Sequence, residues 1–325
     1  MSQFNPAWWI RGRHAQTIWG RLTRSRCAMA LRREVLRTPD DDDLVVDHLD
    51  GRDLRFVLLH GLEGSSNSVY IQGLLRVIAH HGFAASAMNF RSCARDPLRL
   101  SRMLMNRRPW LYHSGDTRDI GFLIRGMPTD LPVVAIGASL GGNALLKWLG
   151  ENPSQQIVKA AATMSVPYDL DVAAQYLERG AGPFYVAQFL RTMKPKTVSV
   201  VERFGIDIDV PRALRARTFY EFDNASTAPL HGFRDAKDYY TRASSLPFLG
   251  AIRAPALCIS AEDDPFLPIE ALQRARAAAS PTLEFLLTRG GGHTGFIAGR
   301  TPWRAHYWAE ERMVQWLAER IGIVR

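Results

Sequence analysis

Cysteine is nearly absent from this 325-residue chain: Cys27, Cys93 and Cys258 stand far apart in the sequence. An odd, scattered set makes neither a disulfide framework nor a C-x-x-C redox or metal pair, and it suits a reducing compartment. Lysine is also scarce, with only Lys147, Lys159, Lys194, Lys196 and Lys237, so arginine supplies nearly all the positive charge. No apolar run approaches the roughly 18 residues needed to span a bilayer. The N-terminus lacks a basic stretch followed by an apolar core and a cleavage site, so secretion is not expected and the cytoplasm is. Neither internal repeats nor low-complexity segments are present. What remains, 46% apolar and 22% charged, describes a globular protein with one large domain and an insertion, or two smaller domains.

The charge is unevenly spread. Seven of the nine net positive charges fall in the first 33 residues, before the first acid, Glu34. No nucleic-acid-binding motif accompanies them, so nucleic acid is not an expected partner. Residues 1–33 form an aromatic and basic arm (Phe4, Trp8, Trp9, Ile10, Ile18, Trp19, Leu22) that reads in two ways. It is either an arm whose tryptophans pack on the domain or a weak peripheral membrane contact. The first is preferred, because the apolar residues form no long amphipathic stripe.

Residues 34–325 alternate strand and helix patterns. Strands are expected at Glu34–Thr38, Leu44–Leu49, Arg55–His60, Phe83–Met88, the apolar run Val133-Val134-Ala135-Ile136 that feeds into Gly137, Ile157–Val166, Ala256–Ser260 and Thr282–Thr288. Helices are expected at Tyr70–His80, about Thr117–Arg125, after Ser139, about Pro268–Ala279 and Trp303–Ile321. Such alternation implies βαβ units and a mostly parallel sheet flanked by helices. The acid run Asp40–Asp43 reads as a solvated turn, since it lacks the spacing of a calcium loop. The stretch from Arg91 to Pro109 reads as irregular. Residues 168–249 interrupt the rhythm between two strands and read as an inserted helical cap.

The chemistry concentrates at Gly137-Ala138-Ser139-Leu140-Gly141-Gly142-Asn143. A buried strand enters G-x-S-x-G and an apolar-periodic helix leaves it, which puts Ser139 at the apex of a strained turn. A serine hydroxyl is a weak nucleophile and needs an imidazole base, itself oriented by a carboxylate. Later strands supply both groups in the order such sites use. Asp264, before a proline-fixed turn, is the chosen acid, with its neighbour Asp263 as runner-up. His293, set in Arg289-Gly290-Gly291-Gly292-His293-Thr294-Gly295, is the base. The N–H groups of Leu140, at a helix start, and Leu62, in His60-Gly61-Leu62-Glu63-Gly64, are the expected oxyanion donors. His60 reads as a loop brace. Six other histidines (His14, His48, His80, His81, His231, His306) show no metal-ligand spacing, so neither a metal nor another cofactor is expected.

Asn5-Pro6-Ala7-Trp8-Trp9, His14-Ala15-Gln16-Thr17-Ile18 and Asn89-Phe90-Arg91 join these motifs. So do Tyr112-His113-Ser114-Gly115-Asp116-Thr117, Asp238-Tyr239-Tyr240, Asp263-Asp264-Pro265-Phe266 and Gly292-His293-Thr294-Gly295-Phe296. With them the chain resembles the bacterial YheT-like α/β-hydrolases, related to eukaryotic abhydrolase-domain proteins and yeast medium-chain ester enzymes. The resemblance implies an α/β-hydrolase fold, Ser139 as nucleophile, Asp264 as acid and His293 as base. It also implies hydrolysis of short- to medium-chain acyl esters, including acylglycerols. Two alternatives stay open: acyl transfer to an alcohol by the same residues, and a catalytically silent, membrane-peripheral binding module. The aromatics Phe184, Tyr185, Phe189, Phe219, Tyr220 and Phe222 of the cap read equally as the wall of an acyl pocket or as ordinary cap core. Two features depart from the family pattern, Ser92 in place of a usual glycine and a longer segment over 98–110, and both are expected at the site rim.

Overall fold

Alternating side chains on β3 (Arg55–Leu59) explain why helices cover both faces of the sheet. Phe56 and Leu58 point into one apolar cluster with Ile71, Leu74, Met313 and Leu317. Val57 and Leu59 point into another with Met88, Leu140, Leu145 and Ile120. A strand buried on both sides reads as a continuous apolar run, as this one does. The computed structural model describes residues 3–24, 29–96 and 98–323. Cys27 and Arg26 lie outside the described residues.

The other sheet strands are β1 (Arg32–Arg37), β2 (Asp43–Leu49), β4 (Ala84–Asn89), β5 (Val133–Ala138), β6 (Val158–Met164), β7 (Ala256–Ala261) and β8 (Leu283–Thr288). They form one eight-stranded sheet in the order β1-β2-β4-β3-β5-β6-β7-β8. β2 pairs antiparallel with β1 and β4, and the remaining neighbours are parallel. β3 lies between β4 and β5, with Leu59 opposite Gly137. The loops leaving β3 and β5 are therefore neighbours at the carboxyl ends of the strands, where parallel sheets carry their ligands. Helices α1 (Arg13–Thr23), α2 (Val69–His80), α3 (Arg118–Arg125) and α4 (Leu140–Glu151) precede β6. Residues 165–255, between β6 and β7, hold only helical elements, including α5 (Leu170–Tyr176) and α6 (Gly182–Phe204). The segment expected to be a cap falls wholly inside this insertion.

Three local expectations need correction. The acid run is a turn that is solvated only in part: Asp40 and Asp41 are exposed, but Asp42 is fully buried, and Arg91, 2% exposed, pairs with Asp40, Asp42 and Asp119. A guanidinium cannot be buried without carboxylates to meet its fork of donors, and this run supplies two of the three. The helix expected from Trp303 begins instead at Trp308 and runs to Arg320. Before it, His306–Tyr307 pairs with Ile297–Ala298, and Pro302–Arg304 forms a single 3₁₀ turn. The irregular stretch contains a small hairpin, Arg95–Asp96 with Arg99–Met103.

Candidate active site

Ser139 holds φ 51° and ψ −120°, between the last residue of β5 and the first of α4. That left-handed conformation costs a non-glycine residue about 1–3 kcal/mol and persists only where surroundings enforce it. Here the enforcement is close packing. A Cβ on Gly141 would sit 2.5 Å from the carbonyl oxygens of both Leu59 and His60. The Ser139 N–H donates to the Met164 carbonyl at 2.9 Å, fixing the turn to β6.

His293 stands on the loop after β8, with Nε2 2.9 Å from Ser139 Oγ. Its Nδ1 lies 2.9 and 3.1 Å from the two oxygens of Asp264, whose side chain is buried. A carboxylate on Nδ1 fixes the proton there and leaves Nε2 free to accept from the serine hydroxyl. The runner-up carboxylate is elsewhere: Asp263 Oδ1 accepts from the Gly292 N–H at 2.9 Å. Burial raises the Asp263 pKa, and the charge of Asp264 adds to the rise.

Sequence reasoning did not single out the groups that hold this imidazole. Phe266 stacks on its face, with centroids 4.1 Å apart and planes 21° apart. The Phe266 N–H also donates to Asp264 Oδ1 at 2.8 Å. From the N-terminal arm, Thr17 Oγ1 accepts the His293 N–H at 2.9 Å and donates to the Arg13 carbonyl. Gln16, buried, accepts from the Ile297 N–H and donates to the Ile10 and Ile297 carbonyls. Phe4 packs against Phe296 and Trp308, and Trp9 against Trp19. Much of the arm therefore rests on the histidine loop. The one available signal was the pairing of small and amide side chains in His14-Ala15-Gln16-Thr17.

The loop after β3 is nearly saturated with hydrogen bonds. Gly61 N–H donates to Tyr70, Glu63 N–H to Tyr112, Gly64 N–H to the Gly61 carbonyl, and Ser65 and Ser66 N–H to Ser68 and Asn89. Among the described residues the N–H groups of Leu62 and Leu140 have no such partner, and both residues line the cavity that holds Ser139. His60 is fully buried; its Nδ1 meets the Gly61 carbonyl and its Nε2 accepts from the Phe90 N–H. Burial drives its pKa down to about 3, so it is a neutral brace. Glu63 carries φ 56° and pairs with Lys196 of α6 at 2.7 Å.

The cavity encloses about 1030 Å³ of atom-free space, its mouth included, and has Ser139 and His293 in its wall. Phe189, Phe219 and Phe222 line it, whereas Phe184, Tyr185 and Tyr220 do not. Phe184 is 60% exposed. Tyr185 instead meets His14 Nδ1 through its hydroxyl at 3.0 Å. Ser92 and residues 98–110 are absent from the lining, against the expectation of a rim position. Ser92 is buried at φ 58°, a conformation that favours glycine, and its N–H and hydroxyl are met by Asn106. His113, His231 and Asp223 line the wall as well. Burial lowers both histidine pKa values, that of His113 to about 4, and raises that of Asp223 to about 6. Cys93 and Cys258 are buried free thiols pushed up to about 11 by burial. Among the described residues, no helix is long and apolar enough to cross a membrane.

The sequence pattern of the alpha/beta hydrolase fold matches residues 55–299. An Escherichia coli (strain K12) protein that carries the provisional name esterase YheT is 32% identical over 97% of this chain and 93% of its own length. A monoacylglycerol lipase of Saccharomyces cerevisiae is 28% identical over 88% of this chain and 63% of its own length. Among solved structures, a thermophilic esterase from Thermogutta terrifontis superposes with a TM-score of 0.53 at 16% identity, covering 89% of this chain and all but 1% of that one (99%).

Proposed function

The chain belongs to the α/β-hydrolase fold family, and on that premise we propose that it is a serine carboxylesterase acting on short- to medium-chain acyl esters, acylglycerols among them. One observation carries the reading: the unbroken line from Asp264 through both ring nitrogens of His293 to Ser139 Oγ. Ester hydrolysis is also the activity in the names of the bacterial and yeast relatives.

In the proposed reaction Ser139 Oγ attacks the acyl carbonyl while His293 Nε2 takes its proton. Asp264 stabilises the imidazolium without itself becoming protonated. The N–H groups of Leu62 and Leu140 hold the oxyanion, an interaction that strengthens as charge develops. The imidazolium then protonates the leaving alcohol. Water, deprotonated by His293, attacks the acyl-enzyme and releases the acid. The insertion serves as the cap, with Phe189, Phe219 and Phe222 giving the acyl chain an apolar wall. The arm contributes no group to the chemistry and acts by bracing the His293 loop, through Thr17.

The test is steady-state hydrolysis of p-nitrophenyl esters of graded length. The expected profile peaks at short to medium chains and disappears in Ser139→Ala. Adding ethanol separates hydrolysis from transfer: ester formed faster than acid would move the assignment to acyl transfer. A flat profile, or one peaking at long chains, would remove the proposed chain-length range.

A further inference from the structure

The two most exposed tryptophans of the described residues belong to distant parts of the sequence and meet on one surface. Trp303 is 84% exposed and Trp8 is 69% exposed. Trp303 sits in the loop between the paired segments Ile297–Ala298 and His306–Tyr307. The arm clasps that same loop: Trp8 Nε1 donates to the Arg300 carbonyl and Trp9 Nε1 to the Gly299 carbonyl, both at 3.0 Å. Arg11 Nε in turn donates to the Trp8 carbonyl at 3.2 Å. Arg11, Arg300 and Arg304 are exposed, and among the described residues none of them is in an ion pair. Neither contributing segment, residues 3–24 nor 289–305, contains an acidic residue.

We propose that this surface, built from Trp8, Arg11, Arg300, Trp303 and Arg304, docks the protein on an anionic phospholipid surface. The Nε1 bond of Trp8 to the Arg300 carbonyl holds its exposed ring in one place, three residues from the exposed Trp303. Exposed tryptophan beside unpaired arginine matches the headgroup zone of a bilayer, where amphipathic rings and cations sit at the same depth. The packed state of the arm sharpens the argument. Phe4, Ala7 and Ile10 are buried in the body, so the arm presents a small fixed patch and not an inserting helix. Attachment is accordingly weak, reversible and salt-sensitive.

Co-sedimentation of the full chain with phosphatidylcholine vesicles, with and without phosphatidylglycerol, tests the proposal. Binding is expected only with phosphatidylglycerol and only at low salt. Removing two basic groups (Arg300→Gln with Arg304→Gln) should weaken partitioning about 25-fold, at about fivefold per arginine. Trp303→Ala should weaken it severalfold, and these arginine and tryptophan variants should hydrolyse a soluble ester as the wild type does. Ser139→Ala should bind vesicles normally, which separates this proposal from the catalytic one. Wild-type protein left in the supernatant, or variants that bind as tightly as wild type, would overturn it. Equal attraction to a DNA duplex, or a Trp303-dependent dimer that ignores vesicles, would overturn it as well.

Discussion

Lys196 of α6 and Glu63 of the loop after β3 form an ion pair at 2.7 Å, with 3% and 7% of their side chains exposed. It joins the helical insertion to the residue that follows Leu62. Tyr112 completes it, its hydroxyl accepting from the Glu63 N–H and donating to Glu63 Oε1. Burial disfavours the Lys196 charge, but Cys93 and Glu63 outweigh burial and hold its pKa above the ordinary value. Removing one partner strands the other charge, which typically costs about 3–5 kcal/mol. Lys196→Met should therefore unfold at markedly lower denaturant. Lys196→Met combined with Glu63→Gln should recover most of the loss. A double variant no more stable than the single one would show that the pairing is not what Lys196 provides.

The two adjacent carboxylates should behave very differently. Asp264→Asn leaves the shape intact but unsettles the proton on His293 Nδ1, and a loss of about 10⁴ in kcat with little change in KM is expected. Asp263→Asn changes only the acceptor of the Gly292 N–H, and should lose less than about tenfold. Steady-state kinetics of the two variants, side by side, decides the assignment; comparable losses would contradict it.

Thr17 should matter to turnover although it is 276 residues from the histidine whose N–H it accepts. Thr17→Val removes the acceptor and leaves a donor beside the imidazole unmet, a cost of about 1–3 kcal/mol. The expected result is a fall in kcat with KM nearly unchanged, and recovery in Thr17→Ser, which keeps the hydroxyl. Activity in Thr17→Val equal to that of Thr17→Ser would mean that the arm does not position the loop.

Acid stability should depend on His113. Burial holds its pKa near 4 in the fold, below the roughly 6.5 of an unfolded histidine. Above pH 6.5 it is neutral in both states and its contribution is fully present. As pH falls from 6.5 toward 4 the unfolded chain takes up a proton that the fold refuses, and stability is lost at up to about 1.4 kcal/mol per pH unit. His113→Gln should flatten the stability curve across that window by this amount and leave its slope above pH 7 unchanged. Denaturant melts at a series of pH values would reveal a parallel, unflattened curve if His113 titrates normally.

Much of the sheet was legible because its strands are buried on both faces and read as apolar runs between turn residues, as Arg55–Leu59 does. The order of Ser139, Asp264 and His293 was legible for a related reason: Ser139 and Asp264 follow such strands, and His293 follows the edge strand Leu283–Thr288, apolar but for Glu284 and its last residue. Long-range pairings were not. Nothing near Arg91 announces that Asp40, Asp42 and Asp119 converge on it, and a run of aspartates looks the same solvated or clasped. The last helix was expected to start at Trp303 and starts at Trp308, because a two-residue strand pair and the turn at Pro302 compete with helical periodicity too briefly to leave a pattern. The arm's helix, Arg13–Thr23, has only Gln16 buried, and an amide carries no hydrophobic signal. The choice between Asp263 and Asp264 depended on side-chain direction at adjacent positions, which spacing alone does not encode.

The measurement that bears most directly on the account is covalent labelling by a fluorophosphonate probe, read by intact mass in wild type and Ser139→Ala. The phosphorus is attacked only by a hydroxyl that its neighbours activate. A single adduct in the wild type, none in Ser139→Ala and strongly slowed labelling in Asp264→Asn are the predicted results. A folded wild-type protein that takes no adduct, or a Ser139→Ala variant labelled as fast as wild type, would contradict the assignment of Ser139 as the nucleophile.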